Sequence, residues 1–192
     1  MLSDFRKDYD RYAEGSRRAL LEPSLAAVLS YRLGQWCSGI RAPVIGPVLR
    51  AAHVVLHCFI TLSLGIHLPR GACIGPGLHI YHFGGIVVSH SAIIGSNCTL
   101  RQNVCIGTRY GSDDAPSIGD NVEFGVGAVV IGRIRIGNNV RIGANAVVLS
   151  DVPDNSTAVG VPARVVSTQL LNEKEYLDNL DIAGQPDRRF SP

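Results

Sequence analysis

A repeat of six residues runs from Ile118 to Pro153 and constrains the fold more than any other feature of the chain. Neither the helical period of 3.6 nor a plain strand alternation places glycine at its second positions, as Gly119, Gly125, Gly137 and Gly143 are placed. Short strands joined by glycine-bearing corners do, so the repeat predicts a parallel β-helix with inward first and fifth positions. The first positions are Ile118, Phe124, Val130, Ile136, Ile142 and Val148, and the fifth positions are Val122, Ala128, Ile134, Val140, Ala146 and Val152.

The same frame extends towards the N-terminus with two interruptions. One is a slip of two residues, which we place between Ile86 and Ile94. The other is the polar segment GTRYGSDDAPS, which cannot line a core, so residues 107–117 are predicted to form an extruded loop. The predicted upstream first positions are Leu68, Ile74, Ile80, Ile86, Ile94, Leu100 and Ile106.

Composition limits the remaining possibilities. The 192 residues, 46% of them hydrophobic, suffice for one domain with a core and a small appendage. A net charge of +2 without a basic stripe argues against a nucleic-acid partner. Five cysteines without a CxxC pair indicate reduced thiols, and the charged start lacks a secretory pattern. We therefore expect a cytoplasmic protein, with the inner face of the membrane as an alternative location.

The chain divides into three parts in this interpretation. Residues 1–65 carry no hexads and are predicted to be helical, with Pro23 in a first turn. The second helix is strongly apolar but marginal for a membrane span. We expect this part to cap the open end of the β-helix or to form an oligomer contact, with peripheral docking on a membrane as the alternative. Residues 66–166 form the β-helix, and residues 167–192 are predicted to be a short helix and a flexible tail.

His82 is the candidate catalytic residue. Phe83, Gly84 and Gly85 follow it, so the backbone there can approach a ligand while the imidazole sits at a coil corner. The competing interpretation is a hydrogen-bonded corner histidine without a catalytic role. Because the histidines show no ligand spacing with Cys, Asp or Glu, we predict no metal.

Residues 66–166 resemble the hexapeptide-repeat acyltransferases, and within them the serine acetyltransferase branch. The resemblance depends on IHLPRGACIGPGLHIYHFGGIVV, on the hexad run and on the closing GVPARVV. It implies a left-handed β-helix, a homotrimer or a multiple of three with active sites between subunits, and acetyl-CoA as the donor. The family's active-site histidine falls on His82, which would act as the general base on the acceptor hydroxyl.

The departures from the branch concern the acceptor. Serine acetyltransferases carry Asp before that histidine, where this chain has Tyr81, and Arg-His-Pro in the loop, where it has Asp114, Ala115 and Pro116. This combination looks more like the colanic acid and capsule acetyltransferases. The first hypothesis is therefore an O-acetyltransferase acting on a sugar, with Tyr81, Asp113 and Asp114 as substrate contacts. The alternatives are an L-serine O-acetyltransferase and a non-catalytic scaffold.

Six residues are predicted to bind the coenzyme. Small residues at corners would let the pantetheine arm lie along the coils, and a guanidinium suits the phosphates. Each position also has a plain interpretation, as corner geometry or as a solvated charge. The candidates are Gly107, Gly125, Gly127, Gly143, Ala144 and Arg164.

Overall fold

The computed structural model describes residues 2–15, 21–111 and 114–167. Three helices come first, namely α1 (Leu2–Gly15), α2 (Pro23–Gly39) and α3 (Ile45–Leu64). The strands follow as β1 (Ile66–His67), β2 (Cys73–Ile74), β3 (His79–Tyr81), β4 (Ile86–Val88), β5 (Ile93–Ile94), β6 (Thr99–Arg101), β7 (Cys105–Gly107), β8 (Ser117–Ile118), β9 (Glu123–Phe124), β10 (Val129–Ile131), β11 (Arg135–Ile136), β12 (Arg141–Ile142), β13 (Val147–Val148), β14 (Ser156–Gly160) and β15 (Ala163–Ser167).

The strands wind into about five turns of a parallel β-helix, as predicted. Three sheets form the faces of a triangular prism, and each turn adds one strand to each sheet, except that the last turn contributes only the isolated bridge of Val152 to the second face. The A face contains β1, β4, β7, β10 and β13, and the B face contains β2, β5, β8 and β11. The C face contains β3, β6, β9, β12 and β14, and β15 pairs antiparallel with β14.

The inward positions form one apolar column. All six first positions from Ile118 to Val148 are at most 3% exposed, and the fifth positions are buried except Ile134, which is half-buried. Successive turns are joined by backbone hydrogen bonds, such as the one from the Val129 N–H to the Ala146 carbonyl at 2.8 Å. Asparagine turns many corners with positive φ, which asparagine tolerates better than most residues. These residues are Asn97, Asn103, Asn121, Asn139, Asn145 and Asn155.

Two details of the predicted frame are wrong. Ile86 pairs with Ile66 and occupies a fifth position, whereas Val88 pairs with Ile106 and is the true first position of its strand. The two extra residues therefore lie before Ile86, in the corner that contains His82. The loop is also shorter than predicted at both ends, since Gly107 belongs to β7 and Ser117 to β8.

Helices α1 and α2 cover the backbone edge of the first coil. The buried carboxylate of Asp8 accepts hydrogen bonds from the Gly77 and Leu78 N–H groups at 2.7 and 2.9 Å. Arg32 binds this carboxylate at 2.8 Å and donates to the carbonyl groups of Ile74 and Gly75. These contacts satisfy backbone groups that no further coil pairs with. The predicted C-terminal helix and tail lie outside the described residues.

Candidate active site

The outward side of the C face contains a groove of about 590 Å³. Tyr81 pairs with Arg101, and the same register continues to Gly125 and Gly143 on the next two strands. Because the two glycines have no side chain, the surface drops beyond Arg101 and leaves the groove open. Ala144 follows Gly143 in its floor.

His82 lies at the corner where β3 ends, immediately after Tyr81. Its φ of 63° is in the left-handed region, and its side chain is exposed. Gly85 makes this corner possible, because a Cβ there would collide with the Oδ1 of Asn103 in the next coil. The two extra residues thus push His82 out of the regular corner, at the end of the groove that Tyr81 lines.

Tyr81 packs at the end of a row of three aromatic rings, which meet edge-on or tilted. Its ring centroid lies 4.2 Å from that of His79, which in turn lies 4.4 Å from that of Tyr12. The Arg101 guanidinium lies 5.0 Å from the centroid of the Tyr81 ring. Burial, together with the charges of Arg11 and Arg101, lowers the pKa of His79 to about 4. His79 is therefore neutral at cellular pH and packs Tyr81 from below.

The charged groups of the groove are unevenly paired. Arg141 and Glu123 approach to 3.8 Å with both side chains about 60% exposed, which makes a weak ion pair. Arg101 makes no hydrogen bond or ion pair with the described residues beyond its contact with the Tyr81 ring. Arg11 is fixed at the rim, where it donates to the Gly77 carbonyl and to the Thr99 Oγ1 at 2.9 and 3.1 Å.

The repeat does not single out Arg101, Glu123 and Arg141, because it marks only inward positions and corners. A signal for them does exist in the sequence. Once the strand frame is known, outward positions of consecutive turns on one face can be aligned. Arg101 then falls beside Tyr81, and Glu123 and Arg141 fall in the neighbouring outward row with Thr99.

The predicted acceptor contacts are not brought together within one chain. Asp114 lies in the loop between the A and B faces, whereas Tyr81 and His82 lie where the C face meets the A face. The Asp114 carboxylate accepts hydrogen bonds from the N–H groups of Arg109, Tyr110 and Arg133, the last at 2.7 Å. It therefore fastens the loop to the next coil. Asp113 lies outside the described residues.

The predicted coenzyme residues divide into two groups. Gly125, Gly143 and Ala144 line the groove. Gly125 is also required by coil stacking, because a Cβ there would lie 2.5 Å from the Ala144 nitrogen.

The remaining three lie elsewhere. Gly127, with a φ of 68°, forms the next corner, and Gly107 ends β7 on the A face. Arg164 lies on β15 outside the groove, where its Nη1 donates to the neighbouring Ala163 carbonyl at 3.2 Å.

This arrangement suits transfer of a group to an alcohol. An exposed imidazole at one end can take the proton of a hydroxyl group, while the groove can hold a long donor with anionic groups near its arginines. Within residues 2–15, 21–111 and 114–167, no three His, Cys, Asp or Glu side chains are placed to hold a metal ion.

A β-helix of hexapeptide repeats with such a histidine corner defines the class of hexapeptide-repeat transferases. The family profile described as bacterial transferase hexapeptide (six repeats) matches residues 115–150. The serine acetyltransferase of Synechococcus elongatus is 35% identical over 192 residues, covering 97% of this chain and 74% of the relative. A protein of Escherichia coli K12 named as colanic acid biosynthesis acetyltransferase WcaB is 36% identical over 146 residues, covering 72% of this chain and 87% of the relative.

Solved structures agree with these relatives. The crystal structure of Neisseria gonorrhoeae serine acetyltransferase matches with a TM-score of 0.74 and 29% identity, covering 92% of this chain and 69% of that one. A serine acetyltransferase in complex with CoA matches with a TM-score of 0.72 and 28% identity, covering 85% and 68%. The chain therefore belongs to the serine acetyltransferase-like branch of the hexapeptide-repeat acyltransferases, and it is an acetyltransferase with the left-handed β-helix of that family.

Proposed function

We propose that the protein transfers an acetyl group from acetyl-CoA to a sugar hydroxyl in the biosynthesis of an exocellular or capsular polysaccharide. The main support is the residue before His82. Tyr81 presents a 43% exposed aromatic side chain to the groove at this position. A zwitterionic amino acid needs a carboxylate for its ammonium group. Of the described groove residues, Glu123 alone supplies one, and it faces Arg141. A sugar is uncharged at the reacting hydroxyl, and its C–H surface packs well on an aromatic ring.

The proposed reaction is a direct transfer. The acceptor oxygen attacks the thioester carbonyl carbon while His82 takes the hydroxyl proton, and the tetrahedral intermediate then expels the thiol of CoA, which receives a proton from the imidazolium. The C–O bond forms in the first step and the C–S bond breaks in the second, and no covalent enzyme intermediate is needed. General-base catalysis of this kind contributes about 10²- to 10⁴-fold.

The donor would lie in the groove. We propose that the pantetheine arm follows the open floor at Gly125, Gly143 and Ala144, with Arg101 and Arg141 near its anionic groups. The solved CoA complex of a related enzyme supports acetyl-CoA as the donor class. We retain Arg164 as a more distant phosphate contact and Gly127 as a corner position next to the floor, whereas Gly107 would contact the donor only from the A face.

A second subunit would complete the site. The outward positions of the A face align Val87, Cys105, Val129 and Val147, an apolar row that suits contact with another copy. This face lies between the His82 corner and the loop of residues 108–116. We propose a homotrimer, or a multiple of three, in which the A faces surround the axis. The loop of one copy, with Asp114, would then come near the His82 corner of the next. Asp113 stays a predicted acceptor contact from the sequence alone.

The second candidate function is L-serine O-acetylation. It is favoured by the relative that aligns with 97% of the chain, which is a serine acetyltransferase. Because the family consists of acetyltransferases, we do not retain the non-catalytic scaffold. We place either reaction in the cytoplasm, where the five free cysteines are compatible with a reducing compartment.

The test follows release of free thiol from acetyl-CoA with serine and, separately, with neutral hexoses and their oligosaccharides. We expect saturable rates with a sugar and a serine rate close to background hydrolysis. The His82→Ala and His82→Asn variants should lose about 10²- to 10⁴-fold in kcat with unchanged acetyl-CoA binding by calorimetry. His90→Ala is the matched control, since His90 is exposed at another corner. Saturation by serine below about 1 mM would favour serine acetylation, and a His82 variant with full activity would exclude it as the base.

A further inference from the structure

Helix α3 exposes an apolar face that the described residues leave uncovered. Val48, Val55, Phe59 and Leu62 follow one side of the helix and are 63%, 72%, 68% and 86% exposed. Of the twenty residues of the helix, two are buried. Such a continuous apolar surface on a soluble unit marks a contact with a partner or a membrane.

The surrounding sequence has a one-sided charge. Residues 23–112 contain no Asp or Glu, but they include six arginines and all six histidines of the chain. Arg32 is neutralised by the buried Asp8. Arg41, exposed just before α3, and Arg50, on the helix itself, are not matched by any acidic residue of this segment.

We propose that α3 docks the protein on a membrane surface rich in anionic lipid. The helix would lie in the plane of the interface, with Phe59 and Leu62 among the acyl chains and the exposed Arg41 at the headgroups. Arg50 lies on the other side of the helix, where it donates to the Ile40 carbonyl at 3.2 Å. Each arginine near an anionic surface contributes about 1 kcal/mol, and the apolar face supplies the second of the two signals that stable peripheral binding requires.

The opposite side of α3 argues against a membrane span. By length and composition the helix could cross a bilayer. However, His53 is 3% exposed, and its Nε2 lies 2.8 Å from the Ser30 carbonyl of α2. Gly65 then turns the chain in a left-handed conformation, and Ile66 enters the core of the β-helix directly. The helix is therefore attached along one side and at its end.

Charge argues against a second copy as the partner. A two-fold contact through this face would bring the exposed Arg41 of both copies towards one interface, and residues 23–112 offer no carboxylate to match them. A lipid surface with phosphate headgroups supplies the missing negative charge over a wide area. This inference does not depend on the identity of the acetyl acceptor.

Flotation of the full chain with vesicles tests the proposal. We expect it to float with vesicles of phosphatidylglycerol and phosphatidylcholine and to remain soluble with phosphatidylcholine alone. The triple variant Val55→Ser, Phe59→Ser, Leu62→Ser should bind at least about tenfold more weakly, and Arg41→Gln about fivefold more weakly. Val161→Ser and Arg133→Gln are the matched controls, because both residues are exposed far from α3.

Three results would overturn the proposal. The parent protein could stay soluble with anionic vesicles. The triple variant could float like the parent but have a lower mass by light scattering, which would make this face a contact between copies. Resistance to alkaline carbonate extraction would show a span instead of surface docking. An unchanged melting temperature verifies that each variant is folded.

Discussion

The A and C faces share one core and differ on the outside. Behind both faces the inward residues are almost all apolar and buried. Outside, the A face presents the apolar row Val87, Cys105, Val129 and Val147, whereas the C face presents Glu123, Arg141 and the open groove. The six-residue repeat therefore specifies only the coil. The outward positions, which the hexad leaves free, decide whether a face contacts another subunit or a ligand.

Charged substitutions in the apolar column, which lies behind both faces, should have the largest effect. Val130→Asp, behind the A face, and Ile142→Asp, behind the C face, each put an unpaired charge in the column, where the parent residues are 0% and 2% exposed. The cost of several kcal/mol is comparable to the stability of a whole domain, so we expect insoluble protein from both. Ile136→Asp, behind the B face, should fail in the same way.

The outward variant Arg135→Asp is the control and should fold normally. A soluble, cooperatively unfolding Ile142→Asp protein would show that the column tolerates a charge and that our inward frame is wrong.

A charge on the outside of the A face should change the oligomeric state, whereas a charge on the outside of the C face should not. Val129→Glu should convert a trimer into monomers, because three carboxylates would meet near the axis without partners. The same charge on the C face, Arg141→Glu, should leave the mass unchanged. Light scattering at micromolar concentration measures both. A monomeric parent protein, or dissociation by the C-face variant alone, would contradict the assignment of the A face as the subunit contact.

A smaller effect concerns the covered part of the C face. His79 has a pKa of about 4 in the fold, below its ordinary value of 6.5, mainly because it is buried. The unfolded chain therefore binds the proton first as the pH falls. The contribution of neutral His79 is complete above pH 6.5 and is lost between pH 6.5 and 4, by about 3 kcal/mol.

Denaturant unfolding of the parent and of His79→Gln over this range measures the effect. The stability difference between them should be constant above pH 6.5 and should change below it in favour of the variant. His90→Gln serves as the exposed control. Parallel curves for the parent and His79→Gln down to pH 4 would mean that His79 is already charged in the fold.

The sequence predicts those features of this protein that are set by residues close together in the chain. It does not predict features that depend on residues brought together only by folding. The β-helix and its buried positions follow from a local repeat, so they could be predicted. The position of the slip could not, because Ile86 and Val88 are both apolar and strand pairing alone tells them apart. The groove depends on register between turns that lie about twenty residues apart, which explains why Arg101 and Arg141 were missed. The sequence also does not show that backbone N–H groups donate to the Asp114 carboxylate, and its contact with the acceptor stays a prediction.

The smallest expected effect is a change in the KM for acetyl-CoA when Arg141 of the groove is replaced. Arg141 lies beside Gly125 and Gly143 and is only weakly paired with Glu123, so its guanidinium is available to an anionic group of the donor. Arg141→Gln should raise the KM for acetyl-CoA about fivefold, or about 1 kcal/mol, while kcat and the melting temperature stay unchanged. Arg135→Gln, an exposed arginine on the B face, is the matched control and should change neither constant. Because a contact made equally in the ground and transition states alters KM alone, a fall in kcat would instead assign Arg141 to the reacting centre. If neither constant changes, the donor does not lie along the C face, and the coils near Gly107 and Arg164 become the place to look for it.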